Sequence, residues 1–143
     1  MQVFPGIRYF RPNTSDVWGD PQKIDLTLLT SLDQLRELTQ KPIHVTSGFR
    51  SEGSTKDSQH KYGRAVDVIC PGMDLFEFYL LAERVGFNGI GVYPHWHWNA
   101  SQVGGLHLDV RPGERARWMG VKIGGVQQYT ALTPANLKGF GVI

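Results

Sequence analysis

The sequence predicts an α+β fold, in which two main helices pack on a mainly antiparallel sheet within a single domain spanning residues 1–143. Three observations lead to this prediction: two segments with apolar residues at helical spacing, several short strand-like segments bounded by turn residues, and a hydrophobic fraction of 41%. A domain of this length buries about two-thirds of the surface of its unfolded chain. The core therefore needs no disulfide, and the single cysteine, Cys70, has no partner within the chain.

The first helix is predicted from Asp25 to about Gln40. Asp25 is a suitable N-cap residue, because its carboxylate can accept a hydrogen bond from a free backbone N–H of the first turn. Pro42 ends the helix, since proline cannot continue the backbone hydrogen bonding. Five leucines recur at positions that form one apolar stripe: Leu28, Leu29, Leu32, Leu35 and Leu38.

A second helix is predicted from Met73 to Val85. Asp74 and Glu77 have the spacing of a capping arrangement, and Gly86 supplies a C-terminal stop. We expect this helix to pack on the core through an apolar set: Leu75, Phe76, Tyr79, Leu80 and Ala82.

Strands are predicted where short alternating or apolar segments end at glycine, proline or polar residues. They cover residues 43–47, 64–69, 89–93 and 106–111. A hairpin is predicted for residues 118–123 and 126–132, with Gly124 and Gly125 at its turn. The polar residues 52–59 are expected to form an exposed loop.

Charge and hydropathy exclude several classes of protein. The 15 basic and 13 acidic residues give a net charge of +2 and are interspersed, so no basic tail or stripe indicates a nucleic-acid partner. No apolar segment approaches the length of about 18 residues that a membrane span needs, and the N-terminus does not have the pattern of a signal peptide. We expect a monomer that is made in the cytoplasm.

Three residues, His60, Asp67 and His107, are of the types that bind zinc. Two neutral imidazoles and a carboxylate can hold Zn²⁺ while leaving a coordination position open for water, as catalytic zinc sites do. A lone histidine is more often an ordinary side chain, so the inference depends on the three together. Asp67 adds weight, because it interrupts the apolar segment Ala-Val-Asp-Val-Ile, where an unpaired carboxylate would be costly. Adjacent strands could bring all three side chains to one face of the sheet.

The motifs around these residues resemble those of the zinc D-alanyl-D-alanine peptidases. This family also includes phage L-alanyl-D-glutamate endolysins and is related in fold to the hedgehog signalling domain. The resemblance covers about residues 25–111 and rests on three motifs: Ser47-Gly-Phe-Arg-Ser51, Ser58-x-His60-x-x-Gly63-x-Ala65-x-Asp67 and His107-x-Asp109. It implies a hedgehog/DD-peptidase-like fold, with His60, Asp67 and His107 as zinc ligands. It also implies that Arg50 and Ser58 face the substrate, where a guanidinium would suit a terminal carboxylate.

The general base is not assigned by this resemblance. Several relatives carry a glutamate three residues before the last histidine, whereas this chain has Gly104 there. His95 and His97, in the loop of residues 94–99, are the leading candidates for proton transfer, because an imidazole titrates near neutral pH. Asp109 is a third candidate, although a carboxylate two residues from a ligand on the same strand face would more simply orient that ligand. Alternatively, the loop is an aromatic shelf that binds glycan, and the metal site needs no further base.

The function predicted from these residues is zinc-dependent hydrolysis of peptide bonds in peptidoglycan stem peptides. The sequence does not separate a D-Ala-D-Ala carboxypeptidase from an endolysin-type endopeptidase. The resemblance favours a phage-encoded enzyme that is released to, or delivered at, the cell wall. The alternative is a catalytically inactive zinc-binding module of the cell wall or the virion, which the missing glutamate would favour.

Overall fold

The computed structural model describes residues 4–51 and 58–143, and these residues form the α+β architecture that the sequence predicts. The helices are Leu26–Thr39 (α1), Leu75–Val85 (α2) and Pro134–Gly139 (α3). The strands are His44–Ser47 (β1), Ala65–Ile69 (β2), Gly89–Tyr93 (β3), His97–Trp98 (β4), Ser101–Gln102 (β5), Gly105–Asp109 (β6), Ala116–Ile123 (β7) and Val126–Thr130 (β8). Most of the polar loop predicted at residues 52–59 lies outside the described residues, and its last residue begins a short 3-10 turn, Gln59–Tyr62.

Six strands form the main sheet in the order β1-β2-β6-β3-β7-β8, while β4 and β5 form a separate small hairpin. Every neighbouring pair in the main sheet is antiparallel except β3 and β7, which are parallel. The predicted mainly antiparallel sheet is therefore confirmed, as is the hairpin that β7 and β8 form. The strand that arrives late in the sequence, β6, occupies the middle between β2 and β3.

Both predicted helices begin at the predicted caps. A carboxylate oxygen of Asp25 accepts from the backbone N–H of Leu28 at 3.1 Å, and one of Asp74 accepts from that of Glu77 at 3.1 Å. The short helix α3 was not predicted, although Thr133 caps it and Pro134 occupies its first position.

The predicted apolar face of α2 is wrong at one position. Leu80 is exposed, and Phe78 is buried instead, on the same face as Ala82. Residues four apart share a helix face, whereas a residue two positions from Phe78 points to nearly the opposite side. The core-facing side of α2 is thus set by Phe78 and Ala82.

One row of residues runs straight across the centre of the sheet. The strand register places Asp67 opposite His107, His107 opposite Gly91, and Gly91 opposite Trp118. Because residues directly opposite in neighbouring strands share a sheet face, these positions lie side by side on one surface. In the described part of the chain, no helix is long and apolar enough to span a membrane.

Candidate metal centre

Three potential metal-binding atoms meet at one end of this row. Nε2 of His60 lies 3.3 Å from Oδ1 of Asp67, and Nδ1 of His107 lies 3.2 Å from the same oxygen. One ligand atom from each of the three residues lies within 4.8 Å of the other two. Two imidazole nitrogens and one carboxylate oxygen suit Zn²⁺ and leave room for a further ligand. The predicted set is therefore brought together, in a geometry that a single ion fits.

His60 reaches the site from the 3-10 turn that precedes β2. Its Nδ1 lies 2.7 Å from the backbone carbonyl oxygen of Gly48. A carbonyl oxygen can only accept, so Nδ1 carries the hydrogen and Nε2 keeps its lone pair towards Asp67. The same turn is held to the chain after β1, because the N–H of Arg50 donates to the carbonyl oxygen of His60 at 3.1 Å. The backbone thus fixes the tautomer that a metal ligand requires.

His107 is oriented by a buried carboxylate. Its Nε2 lies 2.7 Å from Oδ2 of Asp109, which is completely buried. Arg111 holds the same carboxylate by three side-chain hydrogen bonds, from Nε to Oδ1 at 2.9 Å and to Oδ2 at 3.1 Å, and from Nη2 to Oδ2 at 2.6 Å. Burial alone would raise the pKa of Asp109, but hydrogen bonds from His107 and Arg111 hold it well below its usual range. An ionised Asp109 therefore accepts from Nε2 and leaves Nδ1 to face Asp67.

Asp67 lies within an otherwise apolar strand. Burial alone would raise its pKa, but the neighbouring imidazoles of His107 and His60 lower it well below its usual range. Its neighbours in the row also shape the site. A Cβ at Gly91 would lie 2.5 Å from the indole of Trp118, so the glycine leaves space for this ring to reach across and pack on His107, with 5.0 Å between ring centroids.

The three metal-binding side chains line a cavity of about 530 Å³, within the range of sites for small organic ligands. Arg50 and Ser58, the two predicted substrate-facing residues, line it as well. Within residues 4–51 and 58–143, no carboxylate forms an ion pair with Arg50. Its guanidinium lines the cavity as a cationic donor.

Sequence reasoning gave no site role to seven residues that also line the cavity: Gln59, Tyr93, Trp96, Arg111, Trp118, Gln127 and Tyr129. Most of them come from the loop after β3 and from the β7–β8 hairpin. These segments are distant in sequence from His60 and Asp67, so the sequence alone does not indicate that they lie near the metal centre. One signal was available. The alternation Gly-Ile-Gly-Val-Tyr in β3 leaves one strand face without side chains until Tyr93, which is typical of a surface that other groups approach closely.

The structure does not bring His95 and His97 to the wall of the cavity, which this loop reaches through Trp96. His95 lies against β7 and β8, beside Gly120 and Gln127, and burial lowers its pKa. His97 is exposed in the β4–β5 hairpin. The prediction that one of them transfers protons therefore stays a prediction, without a contact that supports it.

The position of the missing glutamate is also informative. Gly104 has a left-handed backbone with φ +71°, and a Cβ there would lie 2.7 Å from Leu75 of α2. A side chain at this position would point at the helix, so a glutamate introduced here would meet α2.

Comparison with known proteins places these motifs in a family. A family model described as Peptidase M15 matches residues 11–99, which is more than half of the chain and includes Arg50, His60 and Asp67. The matched segment ends before His107 and the β7–β8 hairpin. No curated protein matches the chain.

Proposed function

The chain belongs to the peptidase M15 family, and on that premise we propose that it hydrolyses peptide bonds in the stem peptides of peptidoglycan. The family is zinc-dependent, acts on peptidoglycan peptides and includes D-Ala-D-Ala carboxypeptidases and phage endolysin-type members. The observation that carries the proposal is the convergence of His60, Asp67 and His107 on the cavity that Arg50 also lines. We place its action at the cell wall, to which a phage-encoded enzyme would be released or delivered.

Nε2 of His60, Oδ1 of Asp67 and Nδ1 of His107 would hold the zinc. When bound, the ion supplies Lewis-acid polarisation of the scissile carbonyl and lowers the pKa of a water molecule. The outer hydrogen bonds, from His60 to Gly48 and from His107 to Asp109, keep both imidazoles in the tautomer that binds metal.

Arg50 is the group that would position the substrate. A guanidinium offers a planar pair of donors that matches a carboxylate, and stem peptides end in, and carry, carboxylates. Ser58 precedes the 3-10 turn that bears His60, and its hydroxyl makes no capping hydrogen bond in that turn. Both side chains would hold the peptide while its carbonyl meets the metal centre.

The experiment is a digest of purified muropeptides with the zinc-loaded protein, followed by mass spectrometry. Release of free alanine indicates a carboxypeptidase, whereas release of longer fragments indicates an endopeptidase. His107→Ala, assayed beside the wild type with folding checked by circular dichroism, shows whether the product depends on the metal centre.

Gly104 favours a second candidate, a zinc-binding module of the wall or virion that does not turn over substrate. This module would hold one zinc per chain and release no product from any muropeptide. The same digest, combined with metal analysis of the protein that was assayed, separates the two candidates.

A further inference from the structure

Tyr93 is the first side chain that β3 presents on the face of the sheet that carries the metal centre. The two preceding positions on that face are Gly89 and Gly91, because residues two apart in a strand point the same way. Tyr93 lies opposite Gly105 of β6. This pair is two residues along each strand from the pair formed by Gly91 and His107, and it is therefore the next pair on the same face. Its ring is buried, at 7% exposure, yet it lines the cavity. The residue therefore stands at the wall of the site.

The ring of Tyr93 is held from several sides. Trp96 stacks on it with 4.2 Å between ring centroids and 13° between ring planes. On β7, a Cβ at Gly120 would collide with the ring, so the absence of a side chain there defines the space that the ring fills. A side chain packed in this way cannot swing out of the site, which is the preorganisation that a transition-state contact requires.

The hydroxyl of Tyr93 is also fixed, because it accepts from Trp118 and forms a hydrogen bond with Tyr129. Nε1 of Trp118 donates to this oxygen at 2.9 Å. An indole N–H can only donate, so the phenol accepts from Trp118 and keeps its own hydrogen for another acceptor. Trp118 also packs on His107, so the same indole contacts both the Tyr93 hydroxyl and a metal-binding imidazole.

The neighbourhood keeps the phenol protonated. Burial raises the pKa of Tyr93 to about 12. The hydrogen bond from Trp118 opposes this shift, whereas the charges of Tyr129 and Asp67 and the hydrogen bond with Tyr129 add to it. Tyr93 is thus a neutral donor throughout the pH range in which a peptidase works. The two cationic donors in the cavity differ from it, since Arg111 is committed to Asp109 and Arg50 is exposed.

We infer that Tyr93 is a catalytic residue, whose hydroxyl donates a hydrogen bond to the carbonyl oxygen of the scissile peptide. This inference rests on the proposed function. When water adds to the carbonyl carbon, the π electron pair moves to that oxygen, and the hydrogen bond strengthens as negative charge grows there. Tyr93 keeps its proton throughout, and the carbonyl re-forms as the C–N bond breaks and the amine leaves with a proton from the water.

The other tyrosine of the cavity is a weaker candidate for this role. Tyr129 lies on the edge strand β8 and is 64% exposed. Its hydroxyl accepts from Nε2 of Gln127 at 2.8 Å. Both partners belong to the same exposed strand, so this hydroxyl lacks the packing that fixes Tyr93.

The test is Tyr93→Phe, which removes the hydroxyl and keeps the ring. We expect kcat on a defined stem peptide to fall about 10²- to 10³-fold, the usual cost of losing one such donor, with KM changed by less than about threefold. The matched control is Tyr79→Phe, which removes a hydroxyl bonded to Glu83 on α2 and should leave kcat unchanged. Zinc content and circular dichroism are measured for all variants.

A second readout does not depend on turnover. A phosphinate analogue of the stem peptide mimics the hydrated carbonyl, and its affinity for zinc-loaded Tyr93→Phe should fall by about the same factor as kcat. If kcat and phosphinate affinity stay within threefold of the wild type, or if Tyr129→Phe loses more than Tyr93→Phe, the inference is wrong. If the wild type releases no product, the proposed function fails; equal phosphinate binding by wild type and Tyr93→Phe would then reject the role of Tyr93 separately.

Discussion

Two pairs of histidines lie near the same end of the sheet and differ in what fixes their rings. His60 and His107 each use one nitrogen to bind a second group, Gly48 or Asp109, and turn the other towards Asp67. His97 is exposed on a small hairpin, and the His95 ring bonds to Gln127 and Gly120, while its buried Nδ1 has no hydrogen-bond partner among the described residues. Residue type is the same in all four, so the outer partner of each ring sets its chemistry.

The largest effect should come from removing a fixed histidine. In His107→Ala the site loses a zinc ligand, and we expect zinc affinity to fall by more than about 100-fold, beyond the cost of losing an outer partner alone. Competition with a chromophoric chelator measures this. His95→Ala is the matched control and should bind zinc as the wild type does. Full zinc occupancy in His107→Ala would remove this residue from the ligand set.

Removing the outer partner should have the next largest effect. Asp109→Asn keeps the shape of the side chain but loses the charge that holds Nε2 of His107 and pairs with Arg111, and zinc affinity should fall about 10- to 100-fold. At saturating zinc, kcat should recover, because the role of Asp109 is to orient His107. If kcat stays low while zinc is bound, Asp109 itself transfers the proton.

The two arginines of the cavity also differ in whether a carboxylate holds them. Arg111 is held by Asp109, whereas Arg50 has no acidic partner within residues 4–51 and 58–143. Arg50→Lys keeps the charge and loses the paired donors, which should weaken transition-state binding by about 1.5–3 kcal/mol, or roughly 10- to 150-fold in kcat/KM. Unchanged kcat/KM with zinc and folding intact would place Arg50 outside the site.

The two loop histidines, His95 and His97, should matter least for turnover. Because neither lines the cavity, we expect kcat of His95→Ala and His97→Ala to stay within about threefold of the wild type at fixed zinc occupancy. A loss of about 10²-fold or more in either variant is the cost of a general acid or base. That result would assign proton transfer to this loop and show that the loop moves when substrate binds.

Stability at low pH distinguishes the two loop histidines from each other. Burial lowers the pKa of His95 below its unfolded value of about 6.5. The neutral ring therefore contributes stability above pH 6.5, and this contribution is lost as the pH falls through the lower, folded pKa. His95→Gln should show a smaller fall in Tm between pH 7.5 and pH 5 than the wild type shows. His97→Gln controls for the loss of an imidazole, and identical Tm differences in wild type and His95→Gln would contradict the prediction.

The local elements and the metal-binding set could be predicted because their signals are short. Asp25 and Asp74 each cap a helix through the backbone N–H three residues later, a spacing visible in the sequence, and the predicted zinc ligands are recognisable by residue type. The burial of Phe78 rather than Leu80 could not be predicted as easily, since both belong to an apolar run and only the packed partner selects the face. Tyr93 and Trp118 were not predicted as site residues for another reason. Their roles depend on which strands are neighbours, and parallel pairing of β3 and β7 has no local signature.

The central place of β6 has a consequence for the order of events during synthesis. His60 and Asp67 leave the ribosome early, but His107 lies 40 residues after Asp67. Its strand, β6, must insert between β2 and β3, which do not pair with each other. Contacts this distant in sequence form late, because the chain must close a long loop first. A nascent chain that stops before β6 can hold neither the complete ligand set nor the wall formed by the β7–β8 hairpin. Metal capture therefore follows sheet assembly, so partly synthesised chains in the producing cell carry no working hydrolase.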